Sequence, residues 1–131
     1  MAQETLDREL IPAGEELVRA VRSRGIEIQD AFWYFNPEAD AWNLVLAAPQ
    51  VVDRGTKDVY YAILSVARES GGPEIIDAFD VKVVSPLDPL ARAVNRFQQQ
   101  HPAPLSARVR SGLIGDVYVE GLYLYPRRTA S

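Results

Sequence analysis

The run Ala31-Phe32-Trp33-Tyr34-Phe35-Asn36, the break Pro37-Glu38-Ala39-Asp40 and the run Ala41-Trp42-Asn43-Leu44-Val45-Leu46-Ala47-Ala48 decide how the rest of the chain must fold. Aromatic and branched residues dominate both runs, and the proline-containing tetrapeptide between them has turn chemistry, so Ile26 to Asn36 and Ala41 to Ala48 read as the strands of a β-hairpin. Alternation puts Trp33 and Phe35 on one face of the first strand and Phe32 and Tyr34 on the other. Both faces are therefore apolar. Either helices cover the sheet on both sides, or one face stays open as an aromatic platform for a partner chain or ligand.

Upstream, Leu6, Leu10, Ala13/Gly14, Leu17, Val18 and Val21 recur at helical spacing, and Gly25 stops the pattern. Pro12 implies either a kink or a helix that begins near it. Downstream, the hairpin leads through the loop Pro49 to Gly55 to a helix that Thr56 would cap, running to about Glu69 and burying Val59/Tyr60, Ile63 and Val66/Ala67. Ser70-Gly71-Gly72-Pro73 ends it, and Ile75-Ile76 forms a short extended piece. Phe79 to Ser85 is a strand centred on Val81, Val83 and Val84. Asp88 before Pro89 is an N-cap followed by a first-turn proline, opening a helix with Leu90, Val94 and Phe97 on one face. His101-Pro102-Ala103-Pro104 cannot continue that helix. A second hairpin, Ala107 to Ile114 and Val117 to Tyr125, turns at Gly115-Asp116.

The elements give the order α-β-β-α-β-α-β-β: one α+β domain over residues 1–125 with a single mixed five-stranded sheet and three helices, then a polar tail over 126–131. The two helical connections favour parallel crossovers. Strict alternation in the last strand would put Tyr118, Leu122 and Leu124 on one side and Val117, Val119, Tyr123 and Tyr125 on the other.

At 131 residues, 47% hydrophobic and 24% charged, the chain has enough core to fold without staples. It has no cysteine, which excludes disulfides, thiolate metal sites and cysteine nucleophiles and fits a reducing compartment. The acidic, amphipathic start Met1-Ala2-Gln3-Glu4-Thr5-Leu6 lacks the features of a signal peptide. The longest apolar runs, about five residues, fall far short of the ~18 of a membrane span. A cytoplasmic location with no membrane partner is expected.

The net charge of −4 argues against a nucleic-acid partner. Beyond residue 100 the balance turns basic, with Arg108, Arg110, Arg127 and Arg128 against Asp116 and Glu120, a pattern that also protects edge strands from pairing. No glycine-rich phosphate loop is present, and nothing in the sequence around the lone His101 suggests a nucleophile and base, although a distant serine such as Ser111 could meet it in three dimensions. Neither a cofactor nor a metal is expected. Asp80-Val81-Lys82 on a strand resembles half of a metal-dependent nuclease motif, in which carboxylates hold Mg²⁺ and lysine sits beside the attacking water. That fold takes its first aspartate from the preceding strand, whereas here a helix intervenes and Asp53 lies in a loop.

With catalytic constellations missing and interface-type residues abundant, the expected function is a non-enzymatic interaction or accessory protein, binding itself or another protein. Its surface would consist of Trp33, Phe35, Trp42, Tyr118, Tyr123 and Tyr125, rimmed by Arg108 and Arg110. In that case Trp33→Ala or Tyr123→Ala would lower assembly more than stability. The alternative is a small-ligand sensor or enzyme with an anion pocket near the helix starts at Thr56 and Asp88. A nuclease around Asp80 and Lys82 is third.

Leu6-Asp7-Arg8-Glu9-Leu10, the Ala31 to Val45 hairpin, Val83-Val84-Ser85-Pro86 and Val117-Tyr118-Val119-Glu120-Gly121 together resemble a family of short bacterial hypothetical proteins. The resemblance covers most of the chain. It implies a free-standing bacterial protein and transfers no activity and no site residue.

Overall fold

The computed structural model describes residues 8–69, 76, 78–100 and 107–125. The Ser70 to Pro73 stop, Ile75, His101 with its prolines, the extreme N-terminus and the tail lie outside these residues. Helix α1 spans Leu10–Ser23, strands β1 and β2 span Asp30–Asn36 and Ala41–Ala47, and helices α2 and α3 span Val51–Arg54 and Thr56–Glu69. A 3₁₀ turn, Ala78–Asp80, leads into β3 at Val81–Val84, followed by α4 at Pro89–Gln100, β4 at Ala107–Ile114 and β5 at Val117–Leu124. The fold is α+β with one mixed sheet. The described residues form four helices rather than three, because the loop after β2 closes one helical turn before Gly55 breaks it.

Pro12 falls in the first turn of α1, where its missing amide costs no intrahelical bond. At the other end Gly25 adopts φ +87°, its amide reaches the Arg22 carbonyl and the Ile26 amide reaches Val21. That paired closure needs a left-handed residue and explains why glycine ends the helix.

The sheet order is β3-β2-β1-β5-β4, with β2 and β3 parallel and the other pairs antiparallel. The aromatic hairpin thus supplies the centre, pairing Trp33 with Leu44 and, on its other side, with Tyr123. Only the first helical connection joins parallel neighbours. The second, α4, leads from β3 at one edge to β4 at the other, across the opposite face.

Both faces are covered. Leu17, Val18 and Val21 of α1 and Val59, Ile63 and Val66 of α3 pack on Trp33, Phe35, Leu44 and Leu46. On the reverse, Ala93 and Val94 of α4 pack on Phe32, Val45, Leu122 and Leu124. Hydrogen bonds hold α4 there: Asn95 Nδ2 donates to the buried Asp30 carboxylate at 3.1 Å, and Gln98 Nε2 to the Tyr125 carbonyl at 3.2 Å.

Coverage corrects the expected platform. Trp33 is 1% exposed, and Phe35, Trp42 and Tyr125 are also buried, so these four belong to the core because α1 and α3 lie on top of them. Strict alternation in β5 also fails. Val117 and Val119 face α4 together with Leu122 and Leu124, and Tyr118 leaves their company. The change of parity falls where Ser111, at φ +53°, lies level with Glu120 between the pairs Arg110–Gly121 and Gly112–Val119.

A buried polar chain joins α1 to the sheet. Trp33 Nε1 donates to Tyr125 Oη at 2.7 Å, and Tyr125 Oη donates to the Ile11 carbonyl at 2.6 Å. Gly14 lets α1 approach this closely, since a β-carbon there would collide with the Tyr125 hydroxyl. Burial raises the phenol well above its ordinary value near 10, against the opposing effect of the Trp33 bond.

Trp33→Ala is therefore expected to lower stability by about 3–5 kcal/mol in denaturant unfolding. Tyr125→Phe should cost about 1–3 kcal/mol by stranding the indole and carbonyl partners. Because the folded phenol resists ionisation, the wild type should lose stability as pH rises past about 10, and Tyr125→Phe should flatten that loss.

Candidate cleft along the β3 edge

β3 is four residues long and, among the described residues, pairs only with β2, so it forms one border of the sheet. Four hydrogen bonds fix its two ends. The Tyr60 hydroxyl of α3 donates to the Ala78 carbonyl at 2.7 Å just before the strand. The Ala48 amide donates to the Val84 carbonyl at 3.0 Å at its end. Beyond it, the Leu87 amide donates to Ser85 Oγ and the Asp88 amide to the Ser85 carbonyl, turning the chain into α4.

A cleft of about 660 Å³ opens beside this strand. Its floor is the α4 side of the hairpin, with Tyr34, Asn43 and Val45, and its walls are the first residues of α4 and, across the strand, Thr56 and Tyr60 of α3. Asn43 is buried and accepts from Asn36 Nδ2 at 3.3 Å, a polar spot on an otherwise apolar floor.

Among the described residues the cleft has two charged side chains, Lys82 and Asp88. Asp88 Oδ2 accepts from the Leu90 and Ala91 amides, each at 3.1 Å, and so caps α4 as its sequence context predicts. This carboxylate occupies the donors a helix start would otherwise offer to an anion. Thr56 is the first helical residue of α3, following Gly55, instead of its cap. The positive group available in the cleft is consequently Lys82, which is exposed and has no ion-pair partner within 4 Å among the described residues.

The sequence-predicted interaction residues divide. Tyr118 is 58% exposed and pairs across the hairpin with Leu113, while Arg108, opposite Tyr123, and Arg110 are exposed on the border strand β4. Tyr123 is half-buried, edge-on to Tyr125 at 5.3 Å between ring centres. Neither group touches the cleft. Asp80 falls in the 3₁₀ turn before β3, Asp53 lies in α2, and among the described residues no three His, Asp or Glu side chains converge on a metal position. No described helix is long and apolar enough to cross a membrane.

The hydrophobic pattern did not mark Tyr34, Asn36 and Asn43 as a site, because on a hairpin strand they look like ordinary alternating positions. The usable signal was the pair of helix starts at Thr56 and Asp88, both of which line the cleft. In comparisons with known proteins the chain matches no family model, no curated protein and no solved structure.

Asp88→Ala should lower stability by about 1 kcal/mol by uncapping α4, read as a fall in the thermal midpoint.

Proposed function

We propose that the chain is a binding protein whose working part is the cleft along β3, taking an elongated, largely apolar ligand that carries an acidic group. The observation behind this reading is the composition of the cleft among the described residues: apolar walls, a few convergent polar groups and one cation, Lys82, without an ion-pair partner there. Ligand sites are commonly concave and apolar with a small number of orienting polar groups. The reading keeps the place foreseen near Thr56 and Asp88 but replaces helix-start recognition with a lysine counter-ion, since Asp88 already uses the α4 amides. It also keeps the class of binding protein while moving the surface away from aromatics that are buried in the core.

Decanoate is a direct probe, with decanol as its neutral counterpart. Decanoate should shift the NMR signals of Lys82, Val84 and Leu90, and Lys82→Ala should weaken it about tenfold, the equivalent of ~1.4 kcal/mol, without altering the thermal midpoint. Equal binding of decanoate and decanol, or shifts confined to other residues, would remove the reading.

A further inference from the structure

The cleft does more than expose side chains: it runs along the free border of a sheet. Val81 and Val83 line it although their side chains are turned into the core and only 4% and 7% exposed, so what they leave for the cleft is main chain. Strand geometry says which main-chain groups these are. The Val84 carbonyl is directed at β2, where it accepts from Ala48. Main-chain groups of successive strand residues point to alternate sides, so those of Lys82 also face β2 and those of Val81 and Val83 face outward. Among the described residues no backbone group pairs with that outward side.

Resting on the reading above, we propose that the ligand is an extended segment of another protein, added as a sixth strand to β3 and carrying an acidic residue opposite Lys82. Main-chain bonds to Val81 and Val83 would supply affinity, and alternating side-chain positions would supply selectivity. A residue opposite Lys82 shares its side of the sheet, where the lysine has no ion-pair partner among the described residues. The next residue on that side lies against Val84 and Leu90 and is apolar. Residues opposite Val81 and Val83 fall on the α3 side, beside Thr56 and Tyr60, and are small or branched. The four residues of β3 span about 13 Å, which sets the recognised core at four or five residues.

Shortness and a lysine are also devices by which border strands discourage indiscriminate pairing. They are compatible with a selective site, because a charge that repels basic or neutral strands favours an acidic one, and walls from α3 and α4 limit what can approach. The contrast with β4 is in charge and setting: that border strand projects Arg108 and Arg110 to solvent, and its residues do not line the cleft.

The test uses the full chain and a pool of blocked pentapeptides with Glu fixed at the centre and Val, Ile, Leu, Thr or Ala elsewhere. Binding should protect the Val81 and Val83 amide protons from exchange and leave those of Lys82 and Val84, already turned to β2, unchanged. N-methylation of a peptide residue whose amide faces β3 should weaken binding about tenfold, and methylation of its neighbour should not. Lys82→Glu, with an unchanged thermal midpoint, should reverse the preference from a Glu-centred to a Lys-centred pool. If the pool leaves Val81 and Val83 unprotected while decanoate still shifts Lys82 and Leu90, strand addition is overturned and the cleft reading stands. If neither probe acts on the cleft, both fall.

Discussion

A central strand that is apolar on both faces cannot be left half covered, and β1 imposes that constraint on the whole molecule. Phe32 on one side and Trp33 on the other are essentially without solvent exposure, and each requires its own layer of helix. Burying both removes several hundred Å² of apolar surface from water, a gain on the order of several kcal/mol for the two side chains. The polar price of a buried indole is met by the Tyr125 hydroxyl, which passes the bond on to the Ile11 carbonyl and so joins the last strand to the first helix.

The cleft follows from the same constraint. One helix, α4, must cover the reverse face while carrying the chain from the β3 border to the β4 border. Its first turn, held by Asp88, stands beside β3, whereas its buried residues Ala93 and Val94 serve the middle of the sheet. A single helix is narrower than five strands, so space remains at the β3 end, bounded by Lys82 and floored by Tyr34 and Asn43. A short strand with no outer neighbour among the described residues and a helix with a long path together form this cleft.

Much of the fold was legible because local chemistry and tertiary need agree. Gly25 closes α1 through the left-handed turn it alone takes easily, Asp88 and Pro89 open α4, and Val59, Ile63 and Val66 face the core at their expected spacing. Alternation along β5 misled beyond its middle, since a positive φ at Ser111 in the neighbouring strand is not advertised by serine. The turn of α2 was equally hidden, four residues being too few for a periodic pattern.

What the sequence determined by itself was the elements other than α2, their order and the apolar character of both faces of β1, because these depend on residue spacing and on turn and capping chemistry within a few positions of one another. Which helix covers which face, which strands form the borders and where a cleft remains depend on contacts between residues far apart in the chain. Trp33 and Tyr125 meet across 92 positions, and Asp30 and Asn95 across 65. No local pattern encodes such meetings, so the tertiary structure alone moved the aromatic residues into the core and left Lys82 beside an open strand.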